Sequence, residues 1–273
     1  MVATPPTTAP VAATSTTPTT STTTTSSTST TTTTTTTLAA KLPDIDAEVL
    51  VPDGTPPHPV VVLVHGGGWV GGSPATIRGL ATHLTAHGFL TVNPRYTLSI
   101  DSPGFPSAVD DIACAVRYAA IHPDGDGTVA VVGHSAGAHI GALVALTGDR
   151  YGEDCPVAGS GIPDRFVGLA GPYDISRLGI VMLPFFGASP AEAAESWLAG
   201  NPQTLADQNP ALVSLILHGD MDGIVDLGFA TDFYQALDEA GSQSHLELIP
   251  GARHLDLADP AVVGDLIVVW LER

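Results

Sequence analysis

The sequence predicts an α/β fold, in which a mostly parallel central sheet is covered by helices on both faces. Short, mostly apolar runs at 60–64, 129–132 and 213–217 are typical of strands that are buried on both sides. Segments with helical periodicity separate these runs, and glycine-rich turns follow the first two of them. Such alternation of strand and helix indicates a parallel sheet whose connections cross over its faces.

Composition divides the 273 residues into two parts. Residues 1–41 consist almost entirely of Thr, Ser, Pro and Ala, which cannot bury enough apolar surface to offset the entropy lost on folding. We therefore expect a disordered tail or stalk over that range. Residues 42–273 are apolar enough to form a single core, so we predict one folded domain there.

The chain carries a formal net charge of −19, which argues against nucleic acid and anionic membrane surfaces as partners. No apolar run approaches the length that spans a bilayer, so we expect no membrane insertion. The two cysteines, Cys114 and Cys155, lack the spacing of a structural zinc site, and we expect no metal.

Threonine- and proline-rich stretches often serve as stalks in exported proteins, which favours a secreted or envelope-attached location. A signal peptide requires an apolar stretch, and none is visible in residues 1–41, so a cytoplasmic location is the alternative. If the protein is exported, Cys114 and Cys155 are candidates for a disulfide; otherwise they are two free thiols.

The first half of the domain contains alternating and periodic segments. Apolar residues alternate with acidic ones over most of 45–51, which indicates an edge strand with one wet face. After the strand at 60–64, the pattern predicts an amphipathic helix at 74–87, a short strand at 89–92 and a helix at 105–119 that begins near Pro106.

The second half continues the alternation. A helix of small apolar residues at 138–146 follows the strand at 129–132, and further strands are predicted at 213–217 and 246–250, before a final helix. Between them, residues 171–210 form the least regular stretch, with a short helix at 190–198.

A glycine-rich loop, HGGGW at residues 65–69, directly follows the strand at 60–64. Three glycines permit a loop whose backbone N–H groups point into a cavity, where they are fixed in direction before negative charge develops on an oxyanion. The alternatives are a flexible loop or a phosphate cradle, and the latter would require a Lys-Ser/Thr pair that is absent here.

A serine lies at the turn between the strand at 129–132 and the next helix, in the sequence GHSAG of residues 133–137. Glycines tolerate the backbone angles of a sharp turn, and the turn lifts the Ser135 oxygen clear of the sheet. We predict that Ser135 is a nucleophile; the alternative is a glycine-rich turn with an idle serine.

A serine nucleophile needs a base that is itself held by a carboxylate. The late strand at 213–217 is followed by Asp220 and Asp222, and the last strand is followed by His254. Because sites gather at the carboxyl ends of parallel strands, these groups are the expected partners of Ser135. We expect Asp220 to bond its own backbone in the turn, which leaves Asp222 free to reach His254.

The other histidines have simpler interpretations. His65, His134 and His218 are expected to brace or orient the loops in which they lie. Surface or helix-end positions are expected for the remaining histidines that we considered: His83, His87, His122 and His245.

The irregular stretch at 171–210 contains the apolar side chains of Met182, Phe185 and Phe186. Apolar side chains in an irregular stretch between strands can line a site, so these side chains, with Trp69, are candidates for the wall of an acyl pocket. The equally weighted alternative is that they pack onto the sheet as core. The stretch is too short for a large lid domain, which argues against a lipase that works at oil interfaces.

Four motifs carry a family resemblance: HGGGW at 65–69, GHSAG at 133–137, HGDMD at 218–222 and GARH at 251–254. In these motifs, over about residues 44–273, the chain resembles α/β-hydrolases. It is most similar to small carboxylesterases of the hormone-sensitive-lipase-like and BD-FAE-like kinds, and its HGGxW loop resembles that of kynurenine formamidases. The resemblance implies an α/β-hydrolase fold with a small cap insert.

The same resemblance implies a catalytic triad of Ser135, Asp222 and His254, in that chain order. It also implies that an oxyanion hole is formed by the backbone N–H groups of Gly67, Gly68 and Ala136. The expected reaction is cleavage of carboxylic esters of small to medium acyl groups through an acyl-enzyme, with a small-molecule ester as partner and no cofactor. Two alternatives remain: an amidase of the aryl formamidase type, and a non-catalytic binding module, which would need a broken triad.

Overall fold

The structure is a computed structural model and describes residues 45–100 and 102–273. The predicted tail at 1–41 lies outside the described residues. Seven strands form one sheet in this part of the chain: β1 (Ala47–Leu50), β2 (His58–Val64), β3 (Leu90–Pro94), β4 (Gly125–His134), β5 (Arg165–Leu169), β6 (Val213–Gly219) and β7 (Gln243–Ile249).

The strand order is β1-β3-β2-β4-β5-β6-β7. The edge strand β1 pairs antiparallel with β3, and every other neighbouring pair is parallel. The predicted α/β class with a mostly parallel sheet is therefore what the chain forms. The carboxyl ends of β2, β4, β6 and β7 consequently lie at one edge of the sheet, where ligands bind in open α/β folds.

The α-helices of the described residues connect these strands. They are α1 (Arg78–Ala86), α2 (Ser107–Ala120), α3 (Ala136–Thr147), α4 (Leu183–Phe186), α5 (Ala194–Ala199), α6 (Gly228–Glu239) and α7 (Pro260–Leu271). Short 3₁₀ helices occur at Pro74–Thr76, Gly148–Arg150, Ile175–Arg177, Gly179–Met182, Pro202–Gln208 and His254–Ala258. No helix in the described part of the chain is both long and apolar enough to cross a membrane.

Each face of the sheet has its own apolar core. In β2, Val60, Val62 and Val64 face the cluster that includes side chains of α2, α3 and α6. The intervening Val61 and Leu63 face the cluster built with α1 and α7. Successive side chains of a strand point to opposite faces, so a strand covered on both faces reads as a continuous apolar run.

Several predicted boundaries differ from the observed ones. The segment predicted as one helix at 74–87 begins as the 3₁₀ helix Pro74–Thr76, and α1 starts only at Arg78, after Ile77 leaves helical geometry. The strand predicted at 129–132 extends back to Gly125, because its start pairs with β2. The helix predicted at 190–198 is shorter and runs as Ala194–Ala199.

A disulfide joins Cys114 in α2 to Cys155 in the loop after α3. The two cysteines are 41 residues apart in the sequence, and the enclosed segment contains β4, Ser135 and α3. The same loop is held a second time by the buried Arg117, whose guanidinium donates to the carbonyl oxygens of Tyr151 and Gly159. The connection that follows α3 is therefore fixed to α2.

Candidate active site

Ser135 lies on a sharp turn between β4 and α3. Its backbone has φ 54° and ψ −122°, a left-handed region that side chains seldom adopt, and its N–H donates to the carbonyl oxygen of Leu169. The strained turn is held by the neighbouring β5 and places the side chain at the N-terminal end of the helix. Strain of this kind persists only where the surrounding structure enforces it.

Two glycines make this turn possible through close backbone packing. A Cβ at Gly133 would collide with the carbonyl oxygen of Gly137, and a Cβ at Gly137 would collide with the carbonyl oxygen of Val64 at the end of β2. The glycines of GHSAG therefore allow α3 to approach both β4 and β2. Their role is steric as well as conformational.

The three predicted side chains of the triad meet at the carboxyl ends of the strands. The Nε2 atom of His254 lies 2.8 Å from the Oγ of Ser135, and its Nδ1 lies 2.7 Å from the Oδ2 of Asp222. The side chains of His254 and Asp222 are 5% and 1% exposed, so the contact between them is largely removed from water, and the contact with Ser135 is partly buried. Residues that are 119 and 32 positions apart in the sequence thus form one connected chain.

The two carboxylates of the HGDMD segment have different partners, but the predicted contact of Asp220 with its own backbone does not form. Asp220 accepts from the N–H of Gly251 in the loop after β7, and it does not bond its own backbone two residues on. Asp222 makes that local contact: its Oδ1 accepts from the N–H groups of Ile224 and Val225. The prediction failed because the two loops lie side by side, so Asp220 finds a backbone donor across the gap.

These contacts determine the charge state of Asp222. Burial raises the pKa of its carboxyl, but the hydrogen bonds from Val225, His254 and Ile224 together outweigh burial, and the pKa lies below its ordinary value. The carboxylate is therefore ionised at neutral pH. One oxygen is fixed by the backbone, and the other is directed at the imidazole of His254.

Two further histidines fix the loops that carry His254 and Asp222. The Nε2–H of His134 donates to the carbonyl oxygen of His254, and the Nε2–H of His218 donates to that of Val225. Burial lowers the pKa of both imidazoles, that of His134 to about 4, so both are neutral at physiological pH. The predicted orienting roles of His134 and His218 agree with these bonds.

The predicted oxyanion groups present free donors. Gly67 and Gly68 have φ values of 134° and 60°, which a glycine adopts without strain. Within the described residues, the N–H groups of Gly67, Gly68 and Ala136 donate to no protein acceptor. Ala136 is only 1% exposed, and a buried N–H without an acceptor is uncommon in folded proteins.

The loop that carries Gly67 and Gly68 is fastened to α3 by contacts that were not predicted from the sequence. The Nε1–H of Trp69 donates to the Nδ1 of His139, and the Nε2–H of His139 donates to the carbonyl oxygen of Gly200. His139 is completely buried, and burial lowers its pKa to about 4. Only the neutral imidazole can accept from Trp69. The signal that could have revealed His139 is its position four residues after Ser135, one helical turn further along α3.

The start of the same loop is held by His65 and Tyr96. The hydroxyl of Tyr96 donates to the carbonyl oxygen of His65, and the two rings stack with centroids 4.3 Å apart. The predicted bracing role of His65 agrees with this geometry. Its partner Tyr96 was not identified from the sequence.

The four side chains considered as a pocket wall are all buried, with exposures of 5% for Trp69, 0% for Met182, 1% for Phe185 and 6% for Phe186. They belong to the core cluster beneath the loops, where Phe185 contacts the rings of Trp69, His139 and Phe105. This packing favours the core alternative, and the role of these side chains as a pocket wall stays a prediction.

Exposed apolar side chains occur beside the candidate site residues. Val70 follows Trp69 in the chain, Leu255 follows His254, and Met221 and Ile224 lie on either side of Asp222. These four side chains are between 46% and 71% exposed. A separate cavity of about 840 Å³ lies next to the disulfide and includes none of the triad residues. The contacting side chains of Ser135, His254 and Asp222 therefore lie away from that cavity.

The family model described as BD-FAE matches residues 48–237, more than half of the chain. The chain belongs to the BD-FAE family. The matched range contains the glycine loop, Ser135 and Asp222, and it ends before His254.

Curated relatives of this BD-FAE chain carry esterase names. It is 32% identical to a protein named esterase LipC from Mycobacterium tuberculosis (strain ATCC 25618 / H37Rv), over 77% of this chain and 56% of the relative. It is 28% identical to a probable isoprenylcysteine α-carbonyl methylesterase from Oryza sativa subsp. japonica, over 76% of this chain and 55% of the relative. The chain thus spans about half the length of the curated relatives it matches.

Solved structures confirm the fold. A truncated carbohydrate esterase from gut microbiota superimposes with a TM-score of 0.71 at 18% identity, over 82% of this chain and 89% of that one. The propionate-bound esterase Est2 of Thermogutta terrifontis gives a TM-score of 0.65 at 20% identity, over 82% and 89% of the two chains. The BD-FAE chain therefore has the α/β-hydrolase fold that the motifs implied.

Proposed function

We propose that this chain is a serine hydrolase that cleaves carboxylic esters of small to medium acyl groups. The observation that carries the proposal is the continuous contact from the Oγ of Ser135 through the imidazole of His254 to the carboxylate of Asp222. An idle serine would not require a buried histidine and a buried carboxylate aligned behind it.

The proposed reaction follows from the donor and acceptor roles at the site. Asp222 accepts a hydrogen bond from the Nδ1–H of His254, which leaves the Nε2 lone pair directed at Ser135. As Ser135 attacks the acyl carbon, His254 takes its proton and then delivers it to the leaving alkoxide. Water repeats the attack on the acyl-enzyme, with His254 again acting as the base.

Negative charge on the tetrahedral carbonyl oxygen needs fixed donors. The unpaired N–H groups of Gly67, Gly68 and Ala136 are the candidates, because they are held in position by the contacts around Trp69 and His65. Removing one donor of an oxyanion hole typically lowers kcat by about 10²–10³-fold. We propose that this loop supplies much of the stabilisation of the transition state.

The substrate class is inferred from the surroundings of the site. The exposed apolar side chains Val70, Met221, Ile224 and Leu255 suit a modest apolar acyl or alcohol group. Structures of Est2 from Thermogutta terrifontis contain propionate and butyrate, and the curated relatives are named as esterases. These facts support an ester substrate. The aryl formamidase alternative rests on the HGGxW loop alone, and no further observation favours it.

An extracytoplasmic location is part of the proposal. The disulfide between Cys114 and Cys155 supports it, because disulfides persist in oxidising compartments and are rare in the cytosol. A non-catalytic binding module is disfavoured, since all three positions of the triad are filled and in contact.

A panel of p-nitrophenyl esters, measured beside N-formylkynurenine, tests the proposed substrate class. We expect acetyl to butyryl esters to be turned over faster than esters with more than about ten acyl carbons, because the irregular stretch at 171–210 is too short to build a long covered trench. We expect N-formylkynurenine to be a poor substrate. Rates that rise with chain length and increase further at an emulsion surface would contradict the proposal, and rapid hydrolysis of N-formylkynurenine would favour the amidase alternative.

A further inference from the structure

A cluster of metal-ligating side chains lies on the face of the sheet that is covered by α1 and α7, apart from the triad. His83 lies in the last turn of α1, His87 follows directly after that helix, and Asp265 lies in α7. Each offers a ligand atom, and these atoms all lie within 4.8 Å of one another. The two histidines are four residues apart, so they project from the same side of the helix.

A hydrogen bond to the backbone fixes the tautomer of His87. Its Nδ1–H donates to the carbonyl oxygen of His83, at 2.8 Å, and a carbonyl oxygen can only accept. The Nε2 of His87 therefore carries the lone pair. Metal-bound histidines usually donate their second ring N–H to a carbonyl or a carboxylate in this way, which fixes the tautomer and the ring orientation.

His83 is held in position by α7. The imidazole lies on Gly264, where an added Cβ would come within 2.7 Å of the ring atoms. Its Nε2 lies 3.1 Å from the Oδ1 of Asp265, yet this buried nitrogen makes no hydrogen bond of acceptable geometry. Ligands at about 2.0–2.1 Å from a tetrahedral metal ion lie about 3.3 Å apart, close to this separation.

We propose that His83, His87 and Asp265 form a binding site for a divalent transition-metal ion of the zinc class. Two imidazoles and one carboxylate suit zinc, whereas magnesium and calcium prefer sites built from oxygen atoms alone. The site joins α1 to the C-terminal helix α7, which follows the His254–Ala258 segment that carries the base. An ion bound here stabilises the folded domain, because it binds only when the two helices are docked.

The full-length protein is first treated with a chelator to remove metal and is then dialysed. Calorimetry and thermal unfolding measure its binding of zinc. At about 100 times the dissociation constant, zinc chloride is expected to raise the melting temperature by about 5 °C. His87→Ala and Asp265→Asn, both at exposed positions, are each expected to weaken zinc binding by at least about tenfold and to abolish most of the thermal shift.

Two controls make the result specific. His245→Ala removes another exposed histidine that lies 3.9 Å from a carboxylate, and it is expected to bind zinc as the wild type does. Magnesium chloride at the same concentration tests whether the high negative charge alone attracts cations, and it is expected to give no comparable shift. Absence of a zinc-induced shift, unchanged zinc affinity in both ligand variants, or an equal shift with magnesium would overturn the proposal. None of these measurements depends on ester hydrolysis.

Discussion

Ser135→Ala is expected to reduce ester turnover by about 10⁶-fold, to the residual rate that substrate binding and the oxyanion donors alone provide. The reason is that the Oγ of Ser135 is the atom to which His254 is hydrogen-bonded, at 2.8 Å, and alanine offers no nucleophile at that point. The measurement is the initial rate of hydrolysis of p-nitrophenyl acetate by purified wild-type and variant proteins. Because alanine keeps the Cβ of serine, the strained turn is retained and the melting temperature is expected to change little.

Ser107→Ala is the matched control for this loss, because Ser107 is exposed at the start of α2 and contacts no member of the triad. Its turnover is expected to equal that of the wild type. If Ser135→Ala kept most of its activity, the serine mechanism would be wrong, whatever the fold.

Asp222→Asn is expected to lower turnover by about 10⁴-fold with little loss of stability. The carboxylate accepts from the Nδ1–H of His254 at 2.7 Å and so keeps the Nε2 lone pair facing Ser135. An amide NH₂ at this place would instead donate to Nδ1 and stabilise the wrong tautomer. The kcat of the purified variant and its melting temperature are the two quantities to measure.

Asp220→Asn is the internal comparison, since it makes the same chemical change two residues away. Asp220 is exposed and accepts from the N–H of Gly251, so its replacement is expected to cost about 1 kcal/mol of stability or less and to leave kcat nearly unchanged. Should Asp220→Asn prove the inactive variant and Asp222→Asn the active one, the assignment of the orienting acid would be wrong, although the hydrolase proposal would survive.

The sequence predicts the site well where a residue's role follows from its place on a strand. Ser135 is set by a local strand–turn–helix pattern, and Asp222 and His254 each follow a strand that the apolar pattern predicts. In a parallel sheet those strand ends converge whatever the length of the connections between them. The sequence pattern could therefore predict that residues far apart in the chain lie close together in space.

Contacts between elements were less predictable. The bond from Trp69 to His139, and that from Asp220 to Gly251, join segments whose relative height and orientation depend on side-chain packing. The same holds for Phe185, whose ring fills a gap between Trp69, His139 and Phe105 in the core. Periodicity predicts the face of an element that is buried, but it does not predict which side chain meets which across the gap.

The disulfide has a consequence for the protein after proteolysis. Arg150 is exposed, precedes Tyr151 and lies inside the segment that Cys114 and Cys155 enclose, so a tryptic cut after Arg150 would fall within the disulfide-closed loop. A single cut would separate the polypeptide that carries Ser135 from the one that carries Asp222 and His254. The Cys114–Cys155 bond would still join the two pieces, and such a nicked molecule would migrate as one band on a denaturing gel until a reductant separated the fragment with Ser135 from the fragment with Asp222 and His254.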